Sequence, residues 1–144
     1  METLKIKKLD EKATIPTYGT KYSAGADLYA LLDEEITIKK GETVVIPTGL
    51  AMSIPIGYVG LIYARSSLGT KKGLAPANKV GVIDSDYRGE IKVVLYNQSS
   101  DNQTISPNER IAQIVITPFM QVKFEETDEL DSTERGTGGF GSTN

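Results

Sequence analysis

"IKKGETVVIPTGLAMSIP", Ile38 to Pro55, decides the fold class. Proline fixes φ and cannot donate a backbone hydrogen bond, so Pro47 and Pro55 break any helix through this stretch. No apolar stripe with a 3.6-residue period survives that spacing, and the segment reads as short extended pieces around Gly41-Glu42, Pro47 and Pro55. The same grammar runs outward on both sides. "YVGLIYARS" is a β-branched and aromatic run bounded by Gly57 and Ser66. "EIKVVLYN" alternates, with Ile91, Val93 and Leu95 on one face and Lys92, Val94 and Tyr96 on the other. "RIAQIVITPF" is apolar on both faces apart from Gln113, the pattern of a strand buried between layers. Many short strands at this spacing predict an all-β sandwich or barrel. One stretch differs. In "RSSLGTKKGLAP" a short helix is predicted, with Ser66 or Ser67 as its cap, Lys71 and Lys72 in its last turn and Gly73 ending it.

Composition excludes several chemistries. The 144 residues contain no cysteine and no histidine, which removes disulfides, thiolate nucleophiles, Ser-His-Asp triads and imidazole metal ligands. Acid–base work must come from Asp, Glu, Lys or Tyr, and a metal must sit on oxygens, which favours hard cations such as Mg²⁺. The net charge of −3 gives no steering toward nucleic acid or an anionic membrane. No apolar run approaches the roughly 20 residues of a membrane span, and "METLKIKKLD" lacks a signal-peptide core. The expectation is one soluble, cytoplasmic domain that binds neither nucleic acid nor membrane.

Candidate chemistry concentrates in "NKVGVIDSDYRGE", Asn78 to Glu90. Asp, Ser and Gly favour a turn, so a hairpin explains the stretch without function. Asp84, however, follows the apolar "VGVI" directly, where a strand would continue with another apolar residue. It is either a turn-former or a group held in a cleft. In "ARSSLG" an arginine and two hydroxyls stand where a helix would begin, which suits either plain capping or a phosphate. Asp27 in "SAGADLYA" reads by itself as a strand-edge acid, and Gln113 as a buried amide that satisfies backbone or a ligand. The terminal "ERGTGGFGSTN", Glu134 to Asn144, contains a literal G-x-G-x-x-G at Gly136, Gly138 and Gly141. No helix can follow it, so a dinucleotide site is not expected. Ordering such a strip costs roughly 1–2 kcal/mol per residue. Only a ligand or a neighbouring subunit would offset that, through stacking by Phe140 and charge-assisted phosphate bonds from Arg135.

Taken in order, "AGADLYA" (24–30), "ARSSLG" (64–69), "GVIDSDYRG" (81–89), "RIAQIVITP" (110–118) and "RGTGGFGST" (135–143) resemble the five motifs of trimeric dUTPases. The resemblance implies a β jelly-roll subunit with one short helix, residues 1–133, assembled as a homotrimer. A flexible lid, residues 134–144, would reach a neighbouring subunit's site. It implies Mg²⁺-assisted hydrolysis of dUTP to dUMP and diphosphate, which limits uracil in DNA and supplies dUMP for thymidylate synthesis. Carried over residue by residue, Asp84 would hold the water that attacks the α-phosphorus. Tyr87 would pack against deoxyribose, and Asn78 with backbone of Gly81, Val82 and Ile83 would read uracil. Arg65, Ser66, Gln113 and, more weakly, Ser67 would contact phosphates, and Asp27 would act near the metal through a coordinated water. From another subunit Arg135 would meet the γ-phosphate, Phe140 with Gly141 would cover the base, and Ser142 and Thr143 would add phosphate contacts.

The implied reaction suits the composition, because phosphoanhydride hydrolysis needs positioning and charge neutralisation more than a strong base. The second motif departs from the family's usual Pro-Arg-Ser followed by a small residue, often Gly: here it reads "ARSS", with Ala64 in place of the proline and Ser67 in the last position. Looser approach to Arg65 and a modest change in affinity are expected. The related deaminases of dCTP are similar in fold but carry a tryptophan in a Pro-Gly-Trp context. This chain has no tryptophan. A non-catalytic β-sandwich that binds another protein is the reading of a different class.

Overall fold

The structure is a computed structural model that describes residues 3–141. Along the chain the elements are β1 (Lys5–Lys8), β2 (Thr17–Tyr18), β3 (Ala26–Tyr29), β4 (Ile36–Ile38), β5 (Thr43–Pro47), β6 (Leu50–Ser53) and β7 (Tyr58–Tyr63). The helix α1 (Ser66–Lys72) follows, then β8 (Leu74–Pro76), β9 (Gly81–Ile83), β10 (Lys92–Asn97), β11 (Gln103–Ile105) and β12 (Arg110–Pro118). The opening stretch thus becomes the end of β4, then β5 and β6, with the prolines closing or following strands. Between β5 and β6 the chain turns at Gly49, whose φ is +68°. A Cβ there would lie 2.6 Å from Leu31 and 2.9 Å from Ala13, so only glycine permits this turn to pack.

All pairings are antiparallel. The largest sheet has the order β2-β3-β12-β7-β9, a second has β5-β10-β8, and β1-β6 and β11-β4 form two-stranded pieces. Among the described residues only β2 and β3 are paired neighbours in sequence. Every other ladder closes a long crossover, as in a jelly roll.

The alternation of β10 is realised as expected. Val93 and Leu95 are buried, with Ile91 just before the strand, while Lys92 is exposed and Val94 and Tyr96 are half-buried. Together with Leu28, Ile38, Ile46, Ile105 and Ile111, the buried residues belong to one hydrophobic core. Each such side chain, fully withdrawn from water, contributes on the order of 1.5–3 kcal/mol. The strand ends at Asn97, buried but fully bonded. Its Nδ2 donates to the carbonyls of Ile38 (2.9 Å) and Asp101 (2.8 Å), and its Oδ1 accepts from the backbone and hydroxyl of Ser99. β12 is central, flanked by β3 and β7, which explains its apolar run.

Two local expectations change. α1 has the predicted span and ends at Gly73 in the left-handed conformation, φ 63°, with Lys71 and Lys72 in its last turn. Its cap position, however, is Arg65, and no side chain caps it. Ser67 Oγ instead accepts a hydrogen bond from Arg65 Nη1 at 3.2 Å. The stretch 78–90 turns tightly but is not a ladder-paired hairpin, because β9 pairs with β7 whereas β10 pairs with β5 and β8. The chain crosses between sheets there. No helix among the described residues is long and apolar enough to cross a membrane.

Candidate active site

β3 and β12 run side by side with Asp27 opposite Gln113, and Gln113 also stands opposite Tyr63 of β7. Two residues beyond Tyr63 the chain reaches Arg65 at the head of α1. Three neighbouring strands therefore deliver an acid, an amide and an arginine to one place, a cleft of about 370 Å³ lined by Gly19, Ser23, Ala24, Gly25, Asp27, Arg65, Ser66, Arg110 and Gln113.

Asp27 is buried and held on both oxygens. Arg65 Nε donates to Oδ1 at 2.7 Å and Arg110 Nη1 to Oδ2 at 3.3 Å. Its sequence context suggested a strand-edge acid, but β3 lies inside the sheet between β2 and β12, and a buried carboxylate there requires partners. Two guanidiniums share one carboxylate, so the cleft keeps an excess positive charge and fixed N–H donors, the equipment of an anion site. Arg65 is mostly buried, whereas Arg110 is half-exposed, and both line the cleft.

Gln113 donates from Nε2 to the Ala64 carbonyl at 2.9 Å. That bond ties the residue before Arg65 to β12. A Cβ on Gly25 would lie within 3.0 Å of Gln113 Cδ, so the glycine leaves room for this amide. Ser66 lines the cleft, while Ser67 braces Arg65 from behind.

The remaining candidates gather elsewhere. Asn78, Gly81, Val82 and Ile83 line a narrow cleft of about 90 Å³ together with Ile62, Pro76 and Lys92–Val94 of β10. The turn entering it is tight. Lys79 adopts φ 65°, and the Val80 amide donates to the Asn78 carbonyl at 2.7 Å. Val82 and Ile83 continue into an adjoining cleft of about 240 Å³ with Asp84, Tyr87, Glu90 and Lys92. Asp84 is exposed, and among the described residues its carboxylate has no hydrogen-bond or ion-pair partner. Tyr87 is fixed by a bond from its hydroxyl to the Glu90 carbonyl at 3.0 Å, its ring close against Gly89.

One chain therefore carries two separate groups. Asp27, Arg65, Ser66 and Gln113 share the cationic cleft, whereas Asn78, Gly81–Ile83, Asp84 and Tyr87 share none of its lining. The tail joins neither. Among the described residues no hydrogen bond or ion pair ties 120–141 to the barrel. Arg135 Nε bonds only the nearby Gly138 carbonyl at 2.8 Å, and Phe140 and Gly141 are exposed. Ser142 and Thr143 lie outside the described residues. Among the described residues no three His, Cys, Asp or Glu side chains cluster as metal ligands.

Sequence reasoning passed over Arg110, Ser23 and Gly25. The one local signal for Arg110 was a cation heading the apolar run "RIAQIVITP"; its partner, Asp27, lies 83 residues away.

Comparison with known proteins converges on one group. The dUTPase family model matches residues 11–144. The deoxyuridine 5'-triphosphate nucleotidohydrolase of Nautilia profundicola is 53% identical over 140 residues, covering 97% of each chain. That of Neisseria meningitidis serogroup A is 49% identical, covering 97% of this chain and 95% of the other. Among solved structures, the dUTPase of Staphylococcus bacteriophage 80alpha with dUPNHPP superposes with a TM-score of 0.86 at 30% identity, covering 100% and 99% of the two chains. A point mutant of the dUTPase from phage phi11 of S. aureus, described for its coordination of a structural Mg(II) ion, gives a TM-score of 0.82 at 27% identity, covering 91% and 100%.

Proposed function

The chain belongs to the dUTPase family, and from that premise we propose how its residues divide the work of hydrolysing dUTP to dUMP and diphosphate. The observation that carries the reading is the cationic cleft, in which Arg65 and Arg110 share Asp27. It suits a chain of phosphates and leaves the base to the Asn78–Ile83 cleft. Because the two groups lie apart on one chain, a complete site joins the cationic cleft of one copy to the base cleft of another. The homotrimer supplies that arrangement, with the tail of a further copy closing it.

In this assembly Arg65, Ser66 and Gln113 hold phosphate oxygens, and Ser67 keeps Arg65 aimed. Asn78 and the backbone of Gly81, Val82 and Ile83 pair with the edge of uracil, where the tight turn excludes the 5-methyl group of thymine. The Tyr87 ring packs on deoxyribose and leaves no room for a 2′-hydroxyl. Asp84, unpartnered and exposed, orients the water for attack on the α-phosphorus. Arg135 meets the γ-phosphate, Phe140 and Gly141 cover the base, and Ser142 and Thr143 add phosphate contacts.

A divalent cation, Mg²⁺ in this reading, supplies charge neutralisation on the triphosphate when bound. The donors present fit a cation held mostly by substrate oxygens. The cleft offers one carboxylate, Asp27, whose two oxygens already accept from arginines, so Asp27 would act on a bound cation through a coordinated water rather than as a direct ligand. The setting is cytoplasmic.

The test is hydrolysis of dUTP, dCTP, dTTP and UTP with Mg²⁺, following diphosphate and the identity of the base. Diphosphate from dUTP alone is expected. Equal release from dTTP, or uracil formed from dCTP, overturns the reading. A second prediction concerns the Tyr87 ring. A Cβ on Gly89 would lie 2.6 Å from Tyr87 Cζ, so Gly89→Ala must push the ring from its place. The preference for dUTP over UTP, measured as a ratio of kcat/KM, is expected to fall roughly 10–100-fold, the scale of a lost close fit. An unchanged ratio would remove Tyr87 from sugar selection.

A further inference from the structure

The arginines that face the cationic cleft are also held from behind. α1 has only seven residues, too few to be stable by itself, so its position depends on what grips its ends. At the head, Arg65 is fastened to Asp27. At the tail, Lys72 Nζ donates to Glu109 Oε1 at 2.6 Å and to the Thr104 carbonyl at 2.7 Å. Glu109 is itself fixed. Its Oε2 accepts from the Ser106 amide at 2.9 Å, and its carbonyl accepts from Ala30, just beyond β3, at 2.9 Å. The next residue is Arg110, whose guanidinium returns to Asp27. The contacts close a ring: Asp27, Arg65, α1, Lys72, Glu109, Arg110 and Asp27 again.

We propose that the Lys72–Glu109 pair positions both Arg65 and Arg110 for the triphosphate, acting through α1 and the start of β12 without touching substrate. The pair is largely shielded, with side chains 31% and 25% exposed, so it holds geometry better than a solvated surface pair. Losing it lets α1 pivot about its head and frees the turn before β12, and both guanidiniums move. Arginines that grip phosphate before and during reaction contribute uniform binding, so their misplacement raises KM and spares kcat.

The inference rests on the phosphate reading of the cleft. Lys72→Met and Glu109→Gln are each expected to raise KM for dUTP roughly tenfold, the scale of one weakened hydrogen bond to a charged group. In both, kcat stays within about twofold, and the Kd of dUPNHPP, by calorimetry, rises in parallel with KM. Lys72→Arg should restore KM, and the exchange Lys72→Glu with Glu109→Lys should recover most of it. A Lys72→Met protein with lower Tm but unchanged KM would make the pair a stabilising contact alone and overturn the inference. A folded exchange variant no better than the single variants would overturn it too. Failure of the unaltered protein to hydrolyse dUTP would instead strike at the phosphate reading, so the two failures are distinguishable.

Discussion

Asp84→Asn is expected to lower kcat for dUTP by roughly 10²–10⁴-fold, the range attributed to a positioned proton acceptor, while the Kd of dUPNHPP changes little. Asn keeps the shape of the side chain and can still accept one hydrogen bond, but it cannot take up a proton or attract a water's hydrogens as a carboxylate does. The structure makes this a clean experiment. Asp84 is exposed, its side chain supports nothing else among the described residues, and only its backbone carbonyl serves the fold, accepting from the Tyr87 amide at 3.2 Å. Stability should therefore be unchanged, and the assembly, measured by light scattering, should remain intact. Diphosphate release from dUTP gives kcat, and calorimetry with the analogue gives binding. Equal losses in binding and turnover would assign Asp84 to holding substrate. Loss of the assembly would assign it to the interface.

The strands were legible because their signals are local. Alternation in "EIKVVLYN" specifies which face of β10 is buried without reference to any partner, and Pro47 and Pro55 forbid helix wherever they stand. Pairing is different. "GVI" at 81–83 satisfies a strand equally well beside β10 or beside β7, and the choice of β7 follows from how whole sheets stack. Asp27 shows the same limit. Small neighbours made it look like an edge acid, whereas its two partners lie 38 and 83 residues away in sequence. Arg110 stayed hidden for that reason, since its task is defined by a residue on another strand. Ser67 was visible as a hydroxyl near a helix start, yet the guanidinium beside it captured the side chain that capping would have used. Motif order revealed the family, and the structure adds which side chains hold one another in place before substrate arrives.

Removing residues 134–144 is expected to leave the barrel and its assembly folded while kcat falls on the order of 10²–10³-fold, the effect of losing a preorganised charge-stabilising donor. Circular dichroism, Tm and light scattering should match the full chain, because no hydrogen bond or ion pair among the described residues ties this segment to the core. The hydrophobic core draws on residues from Leu4 to Ile116, all upstream of the cut. The functional cost is expected to come from Arg135 and Phe140. With positive φ at Gly136 and Gly141 (52° and 87°), the strip can wrap in ways a chain of larger residues would resist. In the proposed reading its side chains would gain partners beyond the strip itself over a bound nucleotide, where stacking and phosphate contacts would offset the ordering cost of roughly 1–2 kcal/mol per residue. On that proposal, cleavage to dUMP and diphosphate would divide the ligand that holds the strip closed, so closure and product release would share one trigger. Single changes should separate the two contributions. Arg135→Ala should act mainly on kcat, since charge on the terminal phosphates grows as the bond breaks, whereas Phe140→Ala should act mainly on KM, since a stacked base is bound alike before and during reaction. Full activity in the truncated chain would refute closure. A truncated chain that fails to assemble would show that the strip is part of the interface rather than a cover over the site.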